Sequence, residues 1–159
     1  MTLNDVRRLA IEPALLILPA RMTSLAAEAM LLAIGLQESR FEHRRQIGGP
    51  ARGFWQFEKG GGVRGVLEHA KAGPIALELC AARGVPPTAD AVYQALERDD
   101  VLAAGFARLF LFTNPNPLPA VGECAAAWDY YLATWRPGKP HRRTWDALYV
   151  QAMRELSLC

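Results

Sequence analysis

The helix pattern in the first quarter of the chain is the feature that most restricts the possible fold. Apolar side chains recur at intervals of three and four residues over residues 25–39, and Thr23 or Ser24 can cap this segment at its amino end. Such spacing places apolar groups along one face of an α-helix. Similar segments, separated by proline and glycine, follow to the end of the chain. The sequence therefore predicts an all-α fold.

Proline and glycine divide the rest of the chain into short predicted helices. Thr2 or Asn4 can cap the first helix, which should end at Pro19. Residues 41–62 are rich in glycine, so we expect them to form the longest irregular stretch. The further predicted helices cover residues 63–69, 74–83, 88–98, 99–112, 119–135 and 142–156.

Length and composition indicate one globular domain. A chain of 159 residues, of which 51% are hydrophobic and 21% are charged, can bury a substantial core. We therefore expect a single domain over residues 1–159. The 18 basic residues nearly balance the 16 acidic ones, and the net charge of +2 does not indicate a nucleic-acid partner.

The amino-terminal segment and the cysteines indicate neither export nor metal binding. Arg7 and Arg8 precede an apolar run, as in a signal peptide, but Pro13 and Pro19 interrupt a segment already too short to span a bilayer. We therefore expect no signal peptide and no membrane span. The histidines and cysteines lack the spacing of a metal site, so we expect neither a metal nor another cofactor. The expected buried thiols are Cys80, Cys124 and Cys159.

Glu38 is the residue that points most clearly to chemistry. It stands at the polar end of an otherwise apolar predicted helix, directly before a segment rich in aromatic residues and glycine. Partial burial disfavours a charged carboxylate and raises its pKa, which would allow this group to act as a general acid near neutral pH. The structural alternative is an ion pair at the helix end with Arg40, Arg44 or Arg45.

Two short motifs lie at the end of this predicted helix. In the first, Glu38 is followed by Ser39 and then by Phe41. The second, residues 49–57, reads Gly-Pro-Ala-Arg-Gly-Phe-Trp-Gln-Phe. Together they resemble two signatures of the soluble lytic transglycosylases and goose-type lysozymes: a glutamate-serine pair near an aromatic residue, and a motif ending in Gly-Leu-Met-Gln. The residues that match the second signature are Gly49, Ala51, Arg52, Gly53 and Gln56, whereas Phe54 and Trp55 replace leucine and methionine.

The third signature of these families, Ala-Tyr-Asn-Ala-Gly, has a distant counterpart in residues 126–130. There, Asp129 stands where the families have asparagine. Three candidates therefore remain for the aromatic residue that faces the catalytic acid: Trp128, Tyr130 and Tyr131.

The resemblance implies a lysozyme-like helical domain with a glycan-binding groove, of the kind encoded by phages. It also implies a glycosidase that cleaves the β-1,4 bond between N-acetylmuramic acid and N-acetylglucosamine in peptidoglycan. Glu38 would protonate the glycosidic oxygen. In a lytic transglycosylase the muramyl 6-hydroxyl then closes a 1,6-anhydro ring, whereas water takes its place in a lysozyme. If a second carboxylate activates that water, the candidates are Glu58, Glu42 and Asp129.

The resemblance further implies contacts with the substrate. Gln56 matches the motif glutamine and is expected to position the substrate or a water molecule. Ser39 either orients Glu38 or ends the helix through a backbone hydrogen bond. We expect at least one aromatic side chain of the second motif to be exposed, so that a sugar ring can stack on it. The aromatic substrate-binding candidates are Phe54, Trp55, Phe57, Trp128, Tyr130 and Tyr131.

The alternative to a glycosidase is a non-catalytic protein that keeps a lysozyme-like fold and serves as a glycan-binding or virion structural component. In both cases the implied partner is the glycan strand of peptidoglycan. The protein would be made in the cytoplasm of a bacterial host and act on the cell wall after release, or as part of a phage virion. Residues 136–143 form the densest basic patch. They are either a solvated surface or a site of attraction for carboxylates of peptide stems and other anionic envelope polymers.

Overall fold

Helices dominate the part of the chain that the structure, a computed structural model, describes, which is residues 1–158. The only β-type pairing among these residues consists of two isolated bridges within residues 45–57. The prediction of an all-α domain is therefore confirmed. The helices are α1 (Leu3–Val6), α2 (Glu12–Ile17), α3 (Leu25–Ser39), α4 (Arg64–Leu67), α5 (Ala72–Arg83), α6 (Ala89–Ala95), α7 (Asp100–Thr113), α8 (Cys124–Trp135) and α9 (Arg142–Glu155).

The first predicted helix is present as one continuous helical segment. Thr2 caps α1, because its hydroxyl accepts a hydrogen bond from the Asp5 N–H at 3.1 Å while the Asp5 carboxylate accepts one from the Thr2 N–H at 3.2 Å. A π-helical turn, Arg7–Ile11, joins α1 to α2. The segment ends where Leu18 becomes extended before Pro19. No helix among residues 1–158 is both long and apolar enough to cross a bilayer.

Helix α3 runs through the centre of the domain with the predicted bounds. Ser24 caps it by accepting a hydrogen bond from the Ala27 N–H at 3.0 Å. The sequence predicted one apolar face for α3. Instead, residues on all sides of α3 are buried, including Ala29, Leu32 and Ala33. A helix that is apolar all round belongs inside a core. Helix α3 packs chiefly against α9 and also contacts α7.

Among the predicted boundaries, the starts before α4 and α8 were wrong because glycine there serves close packing or a turn. Helical structure begins at Lys59, in a π-helical turn (Lys59–Val63) that leads into α4, rather than at Val63. Gly62 is needed there for close packing, since a Cβ at this position would lie 2.3 Å from the ring of Phe57. Helix α8 begins at Cys124, not at Pro119, because the chain first turns through Gly122 with a φ of +93°.

The core is rich in aromatic side chains that pack edge to face. Phe41 contacts Phe54 and Trp55 with ring-centroid distances of 5.4 and 5.6 Å. Gly35 on α3 permits this packing, because a Cβ there would lie 2.1 Å from Phe41.

The three cysteines differ in burial. Cys80 is buried as expected, Cys124 is half-buried, and Cys159 lies outside the described residues.

Candidate functional site

Glu38 lies in the last turn of α3, where the chain reverses sharply. Arg40 and Phe41 both adopt left-handed backbone conformations, with φ of 56° and 55°. Ser39 holds this turn in place. Its hydroxyl donates to the Phe54 carbonyl at 2.7 Å and accepts from the Phe41 N–H at 3.1 Å. The Ser39 hydroxyl therefore connects the end of α3 to Phe54 of the second motif and to Phe41 after the helix, and these bonds fix the backbone next to Glu38.

The sequence left two roles open for Ser39, which were to orient Glu38 or to end the helix through a backbone hydrogen bond, and the contacts in the structure are those of the second role. Its side chain is only 5% exposed, and its hydroxyl bonds to backbone groups rather than to Glu38. The hydroxyl is thus committed to closing the turn. Ser39 therefore fixes the backbone after Glu38, and it does not line the cleft described below.

Tyr131 is the aromatic residue that faces Glu38. Its hydroxyl donates a hydrogen bond to Glu38 Oε1 at 2.5 Å across 93 positions of sequence. The tyrosine ring is buried and stacks on Trp145, with a centroid distance of 5.2 Å and an interplanar angle of 10°. This packing fixes the hydroxyl, so one carboxylate oxygen of Glu38 is held while the other remains available to the cleft described below.

The other two aromatic candidates on α8 do not contact Glu38. Trp128 is 7% exposed and packs against Tyr131 and Trp145. The Tyr130 hydroxyl bonds to the carbonyls of Leu111 and Asn116 at 2.8 and 3.1 Å. Tyr130 therefore links α8 to the end of α7 and to the segment that follows it, and neither Trp128 nor Tyr130 lines the cleft described below.

Glu38 has no cationic partner among residues 1–158. Arg44 instead forms a two-point ion pair with Asp100, and Arg45 pairs with Glu97. The Arg40 guanidinium donates to the carbonyl of Leu36 at 3.2 Å. The expected alternative, an ion pair that neutralises Glu38 at the helix end, is therefore wrong. Among residues 1–158, the only hydrogen-bond partner of the Glu38 carboxylate is the neutral Tyr131 hydroxyl.

This environment controls the protonation of Glu38. Burial raises the pKa of its carboxyl from 4.5 to about 7, and the hydrogen bond from Tyr131 acts in the opposite direction. Burial, followed by the nearby Glu38 charge and the hydrogen bond to it, raises the pKa of Tyr131 well above that of free tyrosine. Tyr131 therefore stays a neutral donor, while Glu38 exchanges a proton near neutral pH.

An open cleft of about 1270 Å³ runs past Glu38. One side is formed by the glycine-rich start of the π-helical turn at Lys59–Val63, and another by residues 113–116 after α7. The loop of residues 136–141 between α8 and α9 forms a third side. The lining residues that belong to the predicted motifs or lie near them include Gln37, Glu38, Ala51, Gln56, Phe57, Glu58, Tyr131 and Trp135.

The expectation of an exposed aromatic side chain in the second motif was wrong. Phe54, Trp55 and Phe57 are 1%, 0% and 2% exposed. Trp55 is held inside the core by its indole N–H, which donates to the Leu31 carbonyl of α3 at 2.8 Å. Large aromatic side chains are stabilised most by burial against other apolar groups, and here those groups are the core residues around α3. Of the three, only Phe57 contributes to the cleft lining.

Trp135 supplies the half-buried aromatic surface that the sequence interpretation had placed elsewhere. Its indole N–H donates to the Trp55 carbonyl at 2.9 Å, and its ring packs on Phe110 and Phe57 at centroid distances of 4.9 and 5.9 Å. A sequence signal for this role was present. Trp135 follows Tyr131 by four residues on α8, so both lie on the same face of that helix.

Gln56 and one candidate carboxylate share the cleft with Glu38. Gln56 is half-buried with a φ of 53°, and its side-chain amide donates to the Gly53 carbonyl at 2.8 Å. Its Oε1 receives no hydrogen bond from residues 1–158 and can therefore accept one from a ligand. Glu58 is exposed at the rim, whereas Glu42 and Asp129 are exposed but do not line the cleft.

The cleft thus combines a carboxyl group that titrates near neutral pH, a free amide oxygen and an aromatic surface. Such a set suits a polar ligand with flat apolar faces, because the aromatic ring covers one face while the polar groups fix its orientation. Residues 1–158 contain no group of three or more histidine, cysteine, aspartate and glutamate side chains that could hold a metal ion. No protein-family model, curated protein or solved structure matches the chain.

Proposed function

We propose that the protein is a peptidoglycan-cleaving glycosidase with a lysozyme-like fold, and that Glu38 is its catalytic acid. The observation that carries this proposal is the setting of Glu38. Its carboxyl group faces an open cleft, has no cationic partner among residues 1–158, and has a pKa of about 7. A glycosidase needs an acid that is protonated at the pH at which it acts.

The reaction begins with a glycan strand in the cleft and its scissile glycosidic oxygen beside Glu38. The Glu38 carboxyl donates its proton to that oxygen as the bond to C1 of N-acetylmuramic acid breaks. The N-acetylglucosamine fragment leaves with a hydroxyl group, and the muramyl ring acquires oxocarbenium character. Tyr131 stabilises the resulting Glu38 carboxylate, since its hydroxyl donates to Oε1.

The second half of the reaction needs a base, and the ionised Glu38 can supply it. It takes a proton either from the muramyl 6-hydroxyl, which gives a 1,6-anhydro product, or from water, which gives a reducing end. Glu58 is the carboxylate of the cleft rim that could activate water instead. Gln56 and Trp135 line the same cleft and would hold the sugar, through the amide oxygen and the indole face.

The test is mass spectrometry of purified peptidoglycan after incubation with the wild-type protein and with Glu38→Gln. We expect the variant to lose roughly 100- to 10,000-fold of the cleavage rate, the usual contribution of a general acid. Glu42→Gln is the matched control, because Glu42 is an exposed glutamate outside the cleft lining. It should keep full activity.

The products then separate the two chemistries. Anhydromuropeptides that disappear in Glu38→Gln identify a lytic transglycosylase, and reducing muramic ends identify a lysozyme. A matching loss in Glu58→Gln, seen only with reducing-end products, would assign water activation to Glu58. If the wild type releases neither product from several peptidoglycan types, the glycosidase proposal is wrong. The protein is then better described as a glycan-binding or virion structural component.

The cellular setting follows from the same proposal. A phage-encoded enzyme of this kind would be made in the cytoplasm of a bacterial host, and it would reach the wall after release or within a virion.

A further inference from the structure

We propose that the loop of residues 136–141 binds the carboxylates of the peptide stems of peptidoglycan, so that the protein prefers glycan that still carries its peptides. This inference rests on the proposed function, because it takes a peptidoglycan strand as the ligand of the cleft. We call residues 136–141 the basic loop. Its members that line the cleft include the cations Arg136 and Lys139, together with His141.

Within residues 1–158, the two cations of the basic loop have no acidic partner. Elsewhere on the domain, Arg44, Arg83 and Lys59 each pair with a carboxylate at 3.0 Å or less. No ion pair among residues 1–158 involves Arg136 or Lys139, and both side chains are exposed. The Arg136 Nε makes only a long contact of 3.4 Å with the Ala133 carbonyl. Two free positive charges thus stand at the edge of the cleft.

The basic loop is anchored directly beside the catalytic acid. Gln37, which precedes Glu38 on α3, donates from Nε2 to the His141 carbonyl at 3.1 Å. The Thr144 hydroxyl in turn donates to Gln37 Oε1 at 3.0 Å. At its other end the loop leaves α8 immediately after Trp135, where Arg136 adopts a φ of 50°. Both ends are therefore fixed relative to the sugar-binding surface, and the cations lie at a defined side of it.

The chemistry of the ligand identifies what these charges would meet. The alternating N-acetyl sugars of the glycan strand carry no charge once the lactyl group of N-acetylmuramic acid is joined to a peptide. The peptide stems, in contrast, end in free carboxylates and project sideways from the sugar chain. Glu58 is the other carboxylate of the cleft lining beside Glu38, and it pairs with neither Arg136 nor Lys139. A stem carboxylate can therefore reach the basic loop without displacing an internal ion pair.

Binding to insoluble peptidoglycan tests this inference independently of turnover. The parent protein carries Glu38→Gln, which prevents cutting, and is compared with a protein that also carries Arg136→Gln and Lys139→Gln. The matched control replaces Lys71 and Arg98 by glutamine, because both are exposed, neither lines the cleft, and neither forms an ion pair among residues 1–158. All variants are first checked by thermal unfolding, and binding is measured by co-sedimentation at low salt.

The peptidoglycan is used in two forms, both free of teichoic acid: untreated, and with its stem carboxylates converted to amides. On untreated material we expect the Arg136 and Lys139 variant to bind at least about 5-fold more weakly than the parent. The control should stay within about 2-fold of the parent. On amidated material the parent should lose this advantage, and the variant should bind as the parent does.

Two results would overturn the inference. One is an equal loss for the variant on untreated and amidated material, which would mean that the cations contact the sugars. The other is an equal loss in the control, which would mean that net charge alone drives binding. Failure of the proposed function looks different: wild-type protein would cut nothing, while carboxylate-dependent binding through the basic loop would remain measurable.

Discussion

Glu38 and Asp100 are both half-buried carboxylates at helix ends, yet their surroundings are opposite. Asp100 begins α7 and receives two hydrogen bonds from the Arg44 guanidinium, at 2.9 and 2.8 Å. Its negative charge also lies at the positive end of the helix dipole. Glu38 lies at the negative end of α3, and its only side-chain partner in the described part of the chain is the neutral Tyr131 hydroxyl. The fold therefore gives Asp100 a cationic partner, whereas burial disfavours the charge on Glu38.

This difference separates a structural carboxylate from a chemical one. A two-point ion pair between arginine and a carboxylate stabilises the fold, because it links two segments of the chain. Here it links the segment after α3 to the start of α7. A carboxyl group whose charge is disfavoured retains a proton that it can give away. The contrast predicts different responses to pH and to neutralising substitutions.

The largest expected effect is on the pH dependence of cleavage. Because Glu38 must be protonated to act as an acid, kcat/KM should fall about tenfold for each pH unit above its pKa of about 7. Between pH 7 and pH 9 the loss should reach roughly 50-fold, because about half of the Glu38 carboxyl groups are protonated at pH 7 and about 1% at pH 9. Initial rates of muropeptide release across this range measure it. Asp100→Asn should keep the same profile, and a rate independent of pH up to 9 would contradict the role of Glu38.

The second effect is on stability, and its sign should differ between the two carboxylates. The pKa of Glu38 is higher in the folded protein than its ordinary value of 4.5, so the folded state binds the proton more tightly. The free energy of unfolding therefore falls as the pH rises from about 4.5 to about 7, and it stays reduced above that. Glu38→Gln removes this loss and should stabilise the protein at pH 8 by about 1 to 3 kcal/mol.

Asp100→Asn should act in the opposite direction. It breaks the two-point contact with Arg44 and should lower the free energy of unfolding by about 1 to 2 kcal/mol. Urea denaturation at pH 8 compares both variants with the wild type. At pH 4 the stabilisation by Glu38→Gln should disappear, since the carboxyl group is then protonated in the folded state. If Glu38→Gln destabilises the protein at pH 8, the folded state stabilises the charge of Glu38, and the contrast with Asp100 is wrong.

The smallest expected effect concerns the hydrogen bond to Glu38. Tyr131→Phe removes a donor that favours the ionised carboxylate, so the pKa of Glu38 should rise further. The alkaline fall in kcat/KM should shift to higher pH, which a pH-rate profile measures. Tyr130→Phe is the matched control, since the Tyr130 hydroxyl bonds to the Leu111 and Asn116 carbonyls and not to Glu38. An unchanged profile in Tyr131→Phe would exclude this hydrogen bond from controlling Glu38.

The parts of the structure that follow local rules could be predicted from the sequence. The bounds of α3 agree with the prediction, because a capping serine and an uninterrupted apolar segment determine both ends. Thr88 and Asp99, the first residues of two predicted helices, cap α6 and α7 through their side chains. Predictions at the Lys59–Val63 turn and before Cys124 were wrong, because there a glycine or proline is used for close packing or turning rather than simply for ending a helix.

The second motif shows where residue type alone misleads. Phe54 and Trp55 were expected to include a sugar-stacking surface, and both are buried against α3. A large aromatic side chain is equally suited to a core and to a sugar, and its burial depends on which neighbours it meets after folding. Those neighbours lie far away in the sequence. Trp135, which does reach the cleft, is 80 positions from the Trp55 carbonyl that it contacts.

By itself, the sequence determined the all-helical character of the chain, the extent of α3 and the placement of a glutamate at its polar end. These depend on spacing and capping within a few residues. Only the tertiary structure decided that Tyr131 holds Glu38, that Arg44 and Arg45 bind other carboxylates, and that the basic loop borders the cleft. Each of these depends on contacts between distant segments, and desolvation of Glu38 exists only once those segments pack together.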